Sequence, residues 1–146
     1  MIERIVDGGV ELALILRADT PVEGIHFITE SDASLQVGQM LRPKDYLIRP
    51  HVHLPVPRTV SYTQEVLFIK SGRVRVDFYD EQQKYLESHE LWPGDVVLLA
   101  RGGHGFRMLE PSEIVEVKQG PYVGENDKIR FDGINDNDKV SGISTR

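Results

Sequence analysis

The chain has 146 residues, of which 40% are hydrophobic and 27% are charged, and its formal net charge is −6. This length and composition suit one globular domain and argue against global disorder. The absence of cysteine excludes disulfides, thiolate metal sites and thiol catalysis. No dense run of Lys and Arg occurs, so neither nucleic acid nor a membrane is an expected partner. The N-terminus lacks a basic region followed by a long apolar run, so the expected location is cytoplasmic.

Strand signals dominate the chain, and no segment shows a sustained helical period. After N-terminal strands, residues 36–41 and 46–53 are predicted strands that flank a hairpin turn at 42–45. Short strands separated by Gly, Pro, Asp and Asn are typical of a β-sandwich or β-barrel. The sequence therefore predicts an all-β, antiparallel domain.

The clearest strand pattern lies between residues 65 and 118. Residues 65–70 and 73–79 are predicted strands joined by a two-residue hairpin turn, and the second alternates between apolar and polar side chains. A polar strand at 84–91 is expected to be exposed. The remaining predicted strands cover residues 96–99, 104–109 and 113–118. Beyond residue 120 the composition becomes polar, so we predict one domain over 1–131 and a polar, mobile tail over 132–146.

His51 and His53 form the most distinctive local pattern. In a strand, residues two apart point to the same face and lie about 7 Å apart, so both imidazoles can converge on one ion at about 2.0–2.2 Å. Two alternating histidines are also common as surface or hydrogen-bonded residues. The pair by itself is therefore a weak indication of a metal site.

Two further side chains are candidate ligands. Glu65 shares its strand face with Leu67 and Ile69 and should point toward the core, where an unpaired carboxylate is costly unless a cation compensates it. The alternative is that Glu65 meets water or an arginine at the end of the strand. His104 shares a strand face with Phe106, and a hydrogen-bonded core histidine is the alternative there. Three imidazoles and one carboxylate suit Fe, Mn, Co, Ni or Zn and leave one or two positions for water or substrate.

The order of these residues resembles the two motifs of the cupin superfamily. His51, His53 and Glu65, followed by Gly72, resemble the first motif, and residues 93–104 resemble the second. The resemblance covers about residues 36–118 and implies an antiparallel double-stranded β-helix, also called a jelly-roll barrel. It implies one divalent metal ion held by four ligands: His51, His53, Glu65 and His104.

Residues 54–64 lengthen the first motif beyond its usual spacing, and we expect them to form a loop or lip at the mouth of the barrel. Four side chains near that mouth are predicted to contact a substrate: Arg49, Arg58, Tyr62 and Gln64. Arg49 shares the predicted strand face of the two histidines and suits a carboxylate or phosphate, although a salt bridge to a neighbouring acid is equally compatible with the pattern. His26 is interpreted as structural or peripheral, and His89 as a solvated strand residue.

Three functions are compatible with this resemblance. The first is a metal-dependent enzyme, isomerase-like, epimerase-like or dioxygenase-like, that acts on a small polar or anionic molecule. The second is a non-catalytic module that binds or senses a small ligand with a bound metal. The third is a metal-free sugar-nucleotide epimerase, against which the full ligand set argues. The resemblance also implies a homodimer.

Overall fold

The computed structural model describes residues 1–135 and the backbone of residues 143–144. Most of the predicted tail at 132–146 therefore lies outside the described residues. The chain divides into two compact units: a main unit formed by residues 1–20 and 62 onward, and an inserted unit formed by residues 21–61. None of the described residues belongs to a helix long and apolar enough to cross a membrane.

The described residues form eleven strands and one 3-10 turn at Gly124–Asp127, and the prediction of an all-β chain is confirmed. The strands in chain order are β1 (Ile2–Asp7), β2 (Val10–Leu16), β3 (Gly24–Phe27), β4 (Gly38–Leu41), β5 (Glu65–Ser71), β6 (Val74–Tyr79), β7 (Tyr85–Leu91), β8 (Val96–Leu99), β9 (Gly103–Met108), β10 (Glu113–Lys118) and β11 (Ile143–Ser144).

The main unit contains two sheets that share one hydrophobic core. A five-stranded sheet has the order β1-β2-β8-β5-β10, and all its neighbours are antiparallel. A four-stranded sheet has the order β11-β7-β6-β9, in which only the β11–β7 pair is parallel among the described strands. Both sheets contribute buried side chains to one cluster, including Ile15, Ile69 and Val97 from the first and Val76 and Phe78 from the second.

The strands form where the sequence alternates, because successive side chains in a strand point to opposite faces. In β6 the predicted inner residues Val74, Val76 and Phe78 all lie in the core. The inserted unit has its own two-stranded sheet, in which β3 pairs antiparallel with β4.

The hairpin predicted between residues 65–70 and 73–79 is wrong. β5 and β6 belong to different sheets, and the chain crosses from one sheet to the other at Gly72. Gly72 has a φ of 82°, and a Cβ atom there would lie 2.3 Å from the carbonyl oxygen of Pro111. Because no side chain fits against that backbone, the glycine serves a crossing between sheets rather than a two-residue hairpin turn.

The strand predicted at residues 46–53 is also absent, and with it the hairpin at 42–45. β4 pairs with β3, which precedes it in the sequence. Pro50 lies inside the predicted strand and has no N–H group to donate to a ladder, which explains why the apolar pattern there does not form one.

The prediction that residues 84–91 form an exposed strand is also wrong. Ser88, His89 and Leu91 of β7 are buried. His89 lies opposite Val76 of β6 and therefore faces the core, with its ring centroid 6.0 Å from that of Phe78. His89 is thus a core-facing histidine rather than a solvated strand residue.

Candidate functional site

Glu65 and His104 come from different sheets of the main unit and meet at one end of the core. Glu65 opens β5 opposite Leu99 of β8, and it shares its face with the buried Leu67 and Ile69, as predicted. His104 lies on β9 opposite Phe78 and therefore also faces inward. The two sheets thus bring a carboxylate and an imidazole together across the core.

His104 Nε2 lies 3.3 Å from Glu65 Oε2, and the side chain of Glu65 is 13% exposed while that of His104 is 31% exposed. The pKa of Glu65 is lowered, first by hydrogen bonding to His104, and burial of the carboxyl only partly opposes this effect. The carboxyl group of Glu65 is therefore held in its ionised form beside an imidazole that solvent can reach.

Two residues that the sequence did not indicate, Lys118 and Asp127, complete this cluster, and Thr63 contacts one of them. Lys118, directly across from Glu65 on β10, places Nζ 3.3 Å from Glu65 Oε1 and 3.1 Å from Asp127 Oδ2. Thr63 donates a hydrogen bond of 2.5 Å to the other oxygen of Asp127. We call Glu65, His104, Lys118 and Asp127 the Glu65 cluster. Nothing in the sequence placed Lys118 beside Glu65, because their contact depends on the pairing of β5 with β10.

A glycine turn fixes the position of His104. Gly102 has a φ of 70°, and a Cβ atom there would lie 2.5 Å from the backbone oxygen of Tyr79. A Cβ on Gly103 would lie 2.9 Å from the ring of Phe131 and 3.1 Å from the Cβ of Tyr79. The chain can therefore enter β9 in this register only because both residues lack side chains.

Two of the predicted substrate-binding residues also lie in the main unit, close in sequence to Glu65. The ring of Tyr62 packs under the guanidinium of Arg101, whose Cζ lies 4.3 Å from the ring centroid. The backbone oxygen of Gln64 accepts a hydrogen bond of 2.9 Å from the N–H of Gln119. Contact of Tyr62 and Gln64 with a substrate stays a prediction.

His51 and His53 lie in the inserted unit, and their rings are in contact, with centroids 5.2 Å apart. His51 Nδ1 lies 3.0 Å from the carbonyl oxygen of Arg49, which can only accept a hydrogen bond. Nδ1 therefore carries the proton, and Nε2 of a neutral His51 keeps its lone pair. Metal-binding histidines typically donate their other N–H in this way. The guanidinium of Arg58 donates to the carbonyl of Val56, and roles for Arg49 and Arg58 in binding an anion stay predictions.

The structure thus brings together Glu65 with His104, and His51 with His53. Among the residues that it describes, no three His, Asp or Glu side chains form a group that could hold a metal ion. The separation of the Glu65–His104 pair nevertheless fits two ligands of one ion. Atoms about 2.1 Å from a common ion, at angles of about 90–110°, lie about 3.0–3.4 Å apart, and the observed separation is 3.3 Å.

Comparison with known proteins identifies no relative: no family model, curated protein or solved structure matches the chain.

Proposed function

We propose that this chain is a cupin-type protein that binds a small polar or anionic molecule at the Glu65 cluster. One observation carries the proposal. The inward-facing carboxylate of Glu65 and the imidazole of His104, 39 residues apart in the sequence, come from two sheets and meet at 3.3 Å at one end of a shared core. Such convergence of a carboxylate and a solvent-accessible imidazole is typical of a binding or catalytic site.

The order of the motif residues and the two sheets around one core support a closed double-stranded β-helix of the cupin type. Within this proposal the chain works as a homodimer and in the cytoplasm. The outer strands of the five-stranded sheet, β1 and β10, offer the edges through which a second copy would pair.

In the first form of the proposal, Glu65 and His104 are ligands of one divalent ion. The donors are nitrogen and oxygen atoms, which suit Fe, Mn, Co, Ni or Zn. A bound ion of this kind supplies Lewis-acid polarisation of a substrate oxygen. One observation supports this assignment: the separation of the Glu65–His104 pair fits two ligands of a single ion.

The side chains themselves support acid–base chemistry on a bound substrate. Glu65 Oε2 orients His104 through Nε2, the atom at which the imidazole holds or releases a proton. Lys118 stays charged, because the hydrogen bonds that its ammonium group donates to Asp127 and Glu65 raise its pKa. An isomerase-like or epimerase-like reaction needs such a proton carrier next to a fixed positive charge.

A second form of the proposal, a metal-free acid–base site, is favoured by one specific contact. Lys118 already places a positive charge 3.3 Å from Glu65, so part of the charge compensation that a metal would supply is present in the chain. In this form His104 transfers the proton, and Lys118 stabilises negative charge on the substrate.

Metal analysis distinguishes the two forms. Protein purified without an affinity tag is analysed for bound metal, and zinc binding is then measured by calorimetry for the wild type, His104→Ala and His26→Ala. The metal-dependent form predicts about one ion per chain. It also predicts that His104→Ala lowers the affinity for zinc about 100-fold or more. Mutating a residue that only hydrogen-bonds to a metal ligand already lowers metal affinity about 10–100-fold, and His104 would be a ligand itself.

His26 is the matched control, because it is exposed on β3 and no role in the site is proposed for it. We expect His26→Ala to bind zinc as the wild type does. Equal zinc affinity in His104→Ala and the wild type, or no binding by either protein, contradicts the metal-dependent form and favours the acid–base form.

A further inference from the structure

The Glu65 cluster has its two basic groups on the outside and its two carboxylates behind them. The side chains of His104 and Lys118 are 31% and 27% exposed, whereas those of Glu65 and Asp127 are 13% and 12% exposed. A molecule that approaches from solvent therefore meets an imidazole and an ammonium group first. This arrangement of basic groups suits a negatively charged or strongly electron-rich oxygen of the ligand.

Lys118 is held in place on two sides. Its ammonium group carries three N–H donors, and Glu65 Oε1 and Asp127 Oδ2 lie within salt-bridge distance of it. Two donors directed at these oxygens leave the third for another acceptor. The hydroxyl of Thr63 donates a hydrogen bond to Asp127. The contacts that hold the ammonium group of Lys118 therefore extend from β10 to the 3-10 turn.

The positions of the basic groups leave room for an anion. The ammonium group of Lys118 and the imidazole of His104 lie nearer to solvent than the carboxylates of Glu65 and Asp127. A bound anion would thus gain contacts to both basic groups without displacing either carboxylate.

We infer that Lys118 is a ligand-binding residue and that the molecule bound at this site presents an oxyanion, a carboxylate or phosphate group, to Lys118 and His104. Asp127 acts as a positioning residue that holds the ammonium group at the mouth of the site. The inference rests on the proposed function only in placing the ligand at the Glu65 cluster, and it holds for either form of that proposal.

Inorganic phosphate is the probe. Wild-type protein as purified is titrated with phosphate at constant ionic strength, and binding is followed by the amide NMR signals of β9, β10 and residues 63–65. We expect saturable shifts that concentrate in these segments. Lys118→Met should weaken binding about tenfold or more, because a charge-assisted hydrogen bond is lost.

The chain offers a matched control in Lys70. This lysine lies on β5 and pairs with Glu113 of β10, so it joins the same two strands at their opposite end. Lys70→Met removes an equal charge, and its phosphate affinity should remain within about twofold of the wild type. A general effect of net charge would instead weaken both variants equally.

Asp127→Asn provides an independent variant, since it keeps the ammonium group and removes the charge that holds it. Its phosphate affinity should fall between those of the wild type and Lys118→Met. Unchanged affinity in Lys118→Met, or in Asp127→Asn should the lysine variant not fold, overturns the inference. Phosphate-induced shifts of amide NMR signals that lie outside β9, β10 and residues 63–65 would also overturn it. Wild-type protein that binds zinc but not phosphate would overturn this inference alone and leave the metal-dependent form intact.

Discussion

The two ends of the β5–β8 pair carry charged clusters of similar composition and opposite character. At one end lies the Glu65 cluster. At the other end Glu3, Arg17, His89 and Asp95 form what we call the Arg17 cluster. Asp95 lies next to the end of β5, where its backbone oxygen accepts a hydrogen bond of 3.0 Å from Ile69. Each cluster contains carboxylates, one histidine and one permanent cation.

The Arg17 cluster is closed. Arg17 and Asp95 are 5% and 0% exposed and pair at 2.8 Å. Asp95 also accepts hydrogen bonds from the backbone N–H groups of Ala18 and Trp92. Arg17 further contacts Glu3 and the carbonyl of Glu90. The buried charges of Arg17 and Asp95 thus have partners within the chain, which is typical of a cluster that stabilises a fold.

The Glu65 cluster is open by comparison. Its basic side chains reach solvent, and the contact between Glu65 and His104 is, at 3.3 Å, longer than the usual charge-assisted hydrogen bond. Residue types alone therefore do not distinguish the two clusters. Burial shows that one of them is closed and the other is open to solvent.

The largest effect is expected from Asp95→Ala in the closed cluster. Removal of this carboxylate leaves the buried guanidinium of Arg17 without one of its two carboxylate partners, and breaking a buried ion pair in this way typically costs about 3–5 kcal/mol. Urea denaturation measures the free energy of unfolding. His104→Ala in the open cluster is the comparison variant, and it should lower the free energy of unfolding far less. Equal losses in the two variants would show that the clusters do not differ in the way described.

A smaller effect is expected from Gly102→Ala at the entry to β9. The positive φ and the close approach of the Tyr79 carbonyl both oppose a side chain, and such strain costs about 1–3 kcal/mol. Gly105→Ala is the matched control, because a Cβ there meets no atom within 4 Å. Thermal unfolding should separate the two variants, and a Gly102→Ala protein as stable as Gly105→Ala would refute the role of this turn.

The smallest effect concerns acid stability. Burial raises the pKa of Glu3, but Arg17 and His89 outweigh it, so the folded pKa lies below the ordinary value. A carboxyl group with a lowered folded pKa stabilises the fold above its unfolded pKa and loses that contribution as pH falls through the folded pKa. Glu3→Gln should therefore flatten the decline of unfolding free energy below about pH 4.5. Glu81→Gln, in an exposed turn, should leave the slope unchanged, and identical slopes in both variants would count against the assignment.

The all-β class of the fold and the inward orientation of Glu65 and His104 could be read from the sequence. Alternation placed the inner faces of β5 and β6 correctly, and the same rule turned Glu65 and His104 toward the core. The sequence failed where a local pattern was overruled by the rest of the chain. Gly72 indicated a hairpin turn, but the chain crosses there from one sheet to the other. The alternation of His51 and His53 indicated a strand, but Pro50 cannot donate to a strand ladder and no strand forms there.

Lys118 and Asp127 could not have been found from local patterns. Lys118 is 53 residues from Glu65, and only the pairing of β10 with β5 brings them together. Asp127 reaches Lys118 from the 3-10 turn, in a segment whose polar composition indicated no site. Contacts of this kind depend on strand order, which short-range periodicity does not determine.

A crystal structure of the protein grown with zinc, with anomalous data collected at the zinc edge, tests the central claim most directly. The metal-dependent form of the proposal predicts an anomalous peak about 2.0–2.2 Å from both Glu65 Oε2 and His104 Nε2. A map in which zinc binds elsewhere, while this pair keeps its direct contact without an ion, would contradict the metal-dependent form.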